Sequence, residues 1–250
     1  MPKPKVALQL YAVRNECEKD LAATLKAVAA MGYEGVEFAG FHGHSAADVR
    51  KMVEDNGLGV AGAHVNLDLL TGPDANATVD FHLALGNKNL IVPWLGDSHR
   101  GNADVWLGNA KMFNKLASEL SAHGLRTGYH NHNFEFKPID GADTAWDILA
   151  KNTNPDFVLQ LDTGNALEGG GVAADYLKRY PNRAHTIHLK EYPDGLIGDG
   201  KVDWPAVFGE VSAQDATEWV IVEQEGDLYP PLEYVERWLR KAREFPGFPG

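Results

Sequence analysis

The sequence predicts a single (β/α)8 barrel, and three observations carry the prediction. Eight short apolar runs recur along the 250 residues, each bounded by Gly, Asn, Asp or Pro, as strands buried on both faces of a parallel sheet are. Between them lie longer segments with apolar residues at helical spacing. Eight strand–helix units in about 245 residues match a closed barrel, whereas open doubly wound sheets have fewer strands.

The first run is Val6–Leu10, and a helix follows on the stripe Leu21, Leu25, Val28 and Ala29, stopping at Gly32. Runs two to four are Gly35–Phe38, Val60–His64 and Asn89–Pro93. A long stripe of Leu107, Ala110, Phe113, Leu116, Ala117 and Leu120 ends at Gly124 and leads into run five, Arg126–His130. Phe157–Leu161, Ala184–His188 and Trp219–Val222 complete the set, and Leu232, Val235, Trp238 and Leu239 mark the last helix. Neither a Pro/Ser-rich linker nor a strong internal repeat divides the chain, so one domain spanning 1–250 is expected. An open Rossmann-like sheet is the alternative. It loses support because the turn after run one reads QLYAVRNE and lacks the Gly-rich pattern of a dinucleotide site.

Composition narrows the function. The net charge of −12 disfavours a nucleic-acid partner, whose binding draws on clustered Lys and Arg. The lone Cys17 excludes an intramolecular disulfide. No run approaches the ~20 apolar residues of a membrane span, and the opening MPKPKVALQLYAV has no apolar segment of signal-peptide length. A cytoplasmic protein with no membrane partner is expected.

Barrel enzymes place their chemistry where strands end and βα loops begin. Those ends carry Gln9, Glu37, His64, Trp94, His130, Asn131, His132, Glu135, Asp162, His188, Lys190, Glu223 and Glu225. Taken singly, each has an ordinary explanation: Asp162 as a helix N-cap, His188 as a core histidine, Lys190 as a lysine paired with Glu191 or Asp162. Taken together they put several carboxylates into one pocket, where like charges in low dielectric oppose ionisation. A divalent cation resolves that conflict. A mixed carboxylate and imidazole set without thiolates suits one Mn²⁺, Mg²⁺, Co²⁺ or Zn²⁺ ion.

The segments YHNHNFEF (129–136), LDTGN (161–165), HLKEY (188–192), GDGKVDW (198–204) and VEQE (222–225) resemble those of the sugar phosphate isomerase/epimerase superfamily with the xylose isomerase-like barrel. Their order and spacing, 26 positions from Asp162 to His188 and 35 from His188 to Glu223, extend the resemblance over nearly the whole chain. It implies one metal held by Glu135, Asp162, His188 and Glu223, with His130 or His132 as the fallback for Glu135. It further implies isomerisation or epimerisation of a sugar or polyol by removal of a proton beside a carbonyl, through a metal-stabilised enediolate. Glu135 and Glu223 are then the acid–base pair, assisted by His132 and Lys190, while Glu37, His64, Trp94 and His130 bind substrate. The YHNHNFEF form departs from the ketose 3-epimerases and is nearer to inosose dehydratase-like and 3-keto-glycoside-processing branches. A lyase with the same metal site is therefore the main alternative. An endonuclease IV-like repair enzyme and a non-catalytic sugar-binding barrel are further ones. Gly195–Lys201 could cradle an anion through its backbone. The exposed-looking Trp204 and the tail Glu244–Gly250 could mark a homo-oligomer interface or pack on the barrel itself.

Overall fold

In the computed structural model, which describes residues 3–139, 141 and 143–248, eight parallel strands form one barrel. They are β1 (Lys5–Gln9), β2 (Gly35–Phe38), β3 (Gly59–His64), β4 (Asn89–Val92), β5 (Arg126–His130), β6 (Val158–Gln160), β7 (Thr186–Leu189) and β8 (Trp219–Val222). The hydrogen-bonded order β6-β5-β4-β3-β2-β1-β8-β7 leaves one seam. The isolated parallel bridge Asp162–His188 and the bond from His188 N–H to Leu161 O at 2.8 Å draw that seam nearly shut.

The predicted runs coincide with β2, β5 and β8 and overlap the others. Run seven is displaced: β7 begins at Thr186, so His188 sits within the strand. Besides the main helix after each strand, short helices Arg14–Lys19, Leu67–Thr71 and Thr163–Glu168 occupy βα loops. Helix termini follow the sequence signals. Asp20 accepts from Ala23 N–H at 2.9 Å to cap the helix Leu21–Met31, and Gly32 closes it at φ 95°. In the helix Ala103–Ser121 the buried stripe starts at Trp106, with Leu107 only half-buried.

Side chains alternate along each strand, so every second residue enters the barrel. At its N-terminal end Trp219 fills the interior. This is possible because β2 and β3 begin with glycine: a Cβ at Gly35 or Gly59 would lie 2.6 and 2.8 Å from the Trp219 ring. Ala7, Ala61 and Ile221 pack with the indole. Further along, the interior turns polar, and Gln9, Glu37, His130, Gln160 and His188 are all buried. Gly59→Ala should therefore cost about 1–3 kcal/mol through overpacking, read by urea denaturation. An unchanged midpoint would mean that the ring has room to move.

Phe245 and Phe248 pack on the main core that surrounds the barrel. Phe248 is buried with its ring 5.6 Å from Phe208, and Phe245 lies against Gly198. Trp204, read from sequence as exposed, is 1% accessible. The interface expectation for Trp204 is corrected accordingly, and the described part of the tail packs on the barrel; residues 249–250 of it lie outside the described residues. No described helix is long and apolar enough to cross a membrane.

Candidate metal centre and active-site cavity

Four strands in succession deliver the central group. One ligand atom each from His130 (end of β5), Asp162 (just after β6), His188 (β7) and Glu223 (just after β8) lie within 4.8 Å of one another, and all four residues are buried. Asp162 is held from three sides. Its N–H donates to Asn131 Oδ1 at 2.8 Å, Asn131 Nδ2 donates to its carbonyl at 3.3 Å, and its Oδ1 accepts from Asn165 N–H at 2.7 Å. Asp162 thus is the N-cap of the helix Thr163–Glu168, as the plainer reading of the sequence had it, and also a member of the cluster.

His188 is clamped between two carboxylates. Its Nε2 meets Glu37 Oε2 at 2.6 Å, and its Nδ1 meets Glu223 Oε2. Burial alone would push the imidazolium down, but Glu37 and Glu223 together hold it up to about 10. Glu223, although buried, stays well below the usual carboxylate range because Lys190 and His188 flank it. Glu37 is fixed from behind, accepting from Gln9 Nε2 at 2.7 Å and from Gln160 Nε2 at 2.8 Å. The space for its carboxylate comes from Gly62, where a Cβ would lie 2.7 Å from Glu37 Oε1, and from a register shift between β2 and β3 at Val36–Glu37. Gln160 also donates to Thr186 Oγ1 at 2.8 Å and lies 2.9 Å from His64 Nε2. With both amide protons committed, Gln160 offers its oxygen to His64, which places a proton on His64 Nε2.

Two atoms of the cluster are conspicuous. Asp162 Oδ2 and His130 Nδ1 are buried and, among the described residues, have no hydrogen-bond partner. Burial raises the Asp162 carboxyl to about 7 despite the Lys190 cation, and drives the His130 imidazolium well below its ordinary value. A buried acceptor left alone costs roughly 1–3 kcal/mol. Oxygen and imidazole nitrogen donors converging in this way fit one divalent cation, which would satisfy both.

Glu135, expected as the fourth ligand, is placed elsewhere. The chain turns into a short 3-10 helix at Phe134–Phe136, and the Glu135 carboxylate accepts from Tyr129 O–H at 2.5 Å and from His132 N–H at 2.8 Å. The fallback His130 takes its place in the cluster. Glu37 is likewise corrected: it lies beneath His188 and does not line the cavity.

That cavity, of about 800 Å³, opens over the cluster. His130, His132, Lys190, Glu223 and Glu225 face it from the β5–β8 side and His64 from the end of β3, and Trp94 stands at its edge, 48% exposed. His130 and His132 do point the same way, with ring centroids 5.3 Å apart. Burial holds His132 down at about 4. Trp94 is packed by the Arg100 guanidinium at 3.6 Å and by the His132 ring at 4.5 Å, edge to face. Lys190 bonds Glu225 and lies 3.8 Å from Glu223, not on Glu191. Glu191 turns away and accepts from the N–H groups of Tyr192 (3.0 Å), Gly198 (2.7 Å) and Val202 (3.1 Å) and from Trp204 Nε1 (2.7 Å). Of the Gly195–Lys201 loop, read from sequence as a possible anion cradle, Gly198 N–H is given to the protein's own Glu191 carboxylate. Gln160 and Glu191 are organising residues to which strand-end reasoning gave no role, and Asn131, read there only as a strand-end residue, holds Asp162 in place. For Gln160 a signal existed, since it stands two residues before Asp162 on an inward-facing position.

Residues 25–245 match the family model described as the xylose isomerase-like TIM barrel. An inosose dehydratase from Clostridium botulinum (strain Alaska E43 / Type E3) is 24% identical, over 91% of this chain and 90% of its own. A sugar phosphate isomerase/epimerase from Parabacteroides distasonis superposes with a TM-score of 0.86 at 25% identity, covering 98% of this chain and 99% of that one. D-allulose 3-epimerase from Methylomonas sp. shares the fold, with a TM-score of 0.72 at 14% identity over 98% of each chain. The match over most of the barrel settles the family: the chain belongs to the xylose isomerase-like TIM barrel family.

Proposed function

We propose that the protein is a metal-dependent lyase that removes the proton beside the carbonyl of a polyhydroxy ketone, a keto-inositol or a 3-keto-glycoside, and expels a β-substituent. The observation that carries this reading is the buried convergence of His130, Asp162, His188 and Glu223, of which His130 and Glu223 line the cavity, with Asp162 Oδ2 and His130 Nδ1 unpartnered among the described residues. A divalent ion held by these four would act as a Lewis acid on the substrate carbonyl, stabilising charge that develops as the neighbouring C–H is ionised. Glu37 then serves His188, fixing its Nε2 so that Nδ1 faces the cluster.

His132, neutral at pH 7, is suited to take the α-proton and return it to a departing oxygen. Lys190 suits a different task. Burial works against its charge, but Glu223, Asp162 and Glu225 bind its proton more tightly than in free lysine, so it serves as a fixed cation for a substrate oxygen. Trp94, half exposed at the cavity edge, is placed to contact the substrate ring.

Elimination is preferred to the epimerisation expected from sequence because epimerisation needs acid–base groups on both faces of the carbon. Glu135, the carboxylate assigned to the second face, is engaged with Tyr129 and the His132 N–H outside the cavity. The inosose dehydratases among the sequence relatives support the same choice. Isomerisation is the second reading, favoured by the likeness to the Parabacteroides distasonis protein. Incubation with keto-inositols and methyl 3-keto-glucoside in D2O, with Mn²⁺, Mg²⁺ or Co²⁺, decides between them by mass spectrometry. Loss of water or of methanol supports the lyase, and deuterium incorporation at carbon without loss of either supports the isomerase. Neither change with any metal would sink both.

A further inference from the structure

The cavity has two unlike halves. Strands β5 to β8 bring the metal cluster, His132 and Lys190, whereas β2 and β3 with their loops stand across the barrel from them. On that opposite side Phe41, Val65, Leu69 and Phe81 form an apolar stretch of the lining, bordered by His64, Asn66, Asp74, Thr78 and His82. Phe41 and Phe81 are in contact, with ring centroids 4.5 Å apart, and Leu69 is 42% exposed at the mouth. Loops that merely connect barrel elements have no need of such a surface facing the site.

Size points the same way. A volume of about 800 Å³ lies toward the upper end of the ~300–1,000 Å³ typical of pockets that bury drug-sized ligands. One six-carbon polyol chelated over the cluster occupies only the polar half. A second polyol lying along Phe41, Val65, Leu69 and Phe81 would turn hydroxyls onto that stretch, and hydroxyls buried without partners are costly.

We propose that the wall formed by Phe41, Val65, Leu69 and Phe81 is a subsite for an apolar, aromatic-sized substituent carried by the substrate, so that the natural ligand is a polyhydroxy ring joined to such a group. The inference rests on the polyol reading above for the other half of the ligand. It favours glycosides with a hydrophobic aglycone over free keto-inositols.

The test is isothermal titration of the metal-loaded protein with methyl and 2-phenylethyl β-D-glucopyranoside, beside the Leu69→Asp variant, whose exposed position leaves folding intact. Burial of the phenyl group should tighten binding about tenfold to a hundredfold over the methyl glycoside. L69D should remove most of that gain and leave the methyl glycoside unchanged. Equal affinities for the two glycosides would overturn the subsite while the polyol reading stands. A retained phenylethyl interaction with no detectable methyl glycoside binding would uphold the subsite and sink the polyol reading. Binding of neither overturns both, and concentration-dependent dimerisation with no phenylethyl gain would assign the wall to a second copy of the chain.

Discussion

Asp162→Asn is expected to weaken divalent-metal binding by more than the 10–100-fold typical of changes behind the ligands, and at the same time to make the metal-stripped protein more stable at neutral pH. The substitution is nearly isosteric. The retained oxygen can still accept from Asn165 N–H, so the cap of the helix Thr163–Glu168 survives, while the unpartnered Oδ2 and its charge are removed. Burial raises the Asp162 carboxyl from 3.8 to about 7, against the pull of Lys190. Between those values the folded chain holds a proton that the unfolded chain has released, so the stability this group contributes falls as pH rises through that window. Metal-stripped wild type should therefore lose on the order of a few kcal/mol from pH 4 to pH 7 that D162N keeps. With saturating metal the order reverses, because only the wild type gains the full linkage of a tightly bound ion. Thermal melts of both proteins at the two pH values, with and without chelator, read the crossover. Parallel melting curves under all conditions would mean that Asp162 is a helix cap and nothing more.

That prediction depends on a residue the sequence identified twice over, and the reason is periodicity. Asp162, His188 and Glu223 stand on the inward phase at or near the ends of strands whose positions the apolar runs disclose, and a two-residue alternation carries a side chain into the barrel without further information. His130 shares that phase, which is why it was the natural fallback. Glu135 illustrates the limit. Five residues past β5 the backbone is no longer extended, and a single 3-10 turn rotates the carboxylate onto Tyr129. Glu37 was legible as a strand-end carboxylate, but its depth depends on Gly62 and on a register shift with the neighbouring strand, neither visible in local pattern. Trp204 is a non-local case of the same kind. It reads as an exposed aromatic, and only the folded chain shows its indole N–H buried on Glu191.

Glu191→Ala is expected to have the largest effect on the protein's integrity of any substitution outside the metal cluster. One carboxylate, 2% exposed, accepts four hydrogen bonds, two on each oxygen: Tyr192 and Val202 N–H on Oε1, Gly198 N–H and the Trp204 indole on Oε2. A buried donor deprived of its acceptor costs about 1–3 kcal/mol, and four of them exceed what a loop can bear without opening to water. The segment between β7 and the helix Trp204–Ser212 should then come loose, and with it the backbone that positions Lys190. Alanine should cost about 4 kcal/mol or more. Glutamine tests the electrostatic part: its oxygen can serve one pair of donors, but its amide turns two protons toward the other pair. E191Q should thus fall between wild type and E191A, with Trp204 fluorescence red-shifted in proportion and proteolysis appearing first within residues 193–201. If E191A instead melts within ~0.5 kcal/mol of wild type and its loop resists proteolysis, the four bonds are replaceable by water. The loop would then be held by Trp204 and Phe245 packing alone.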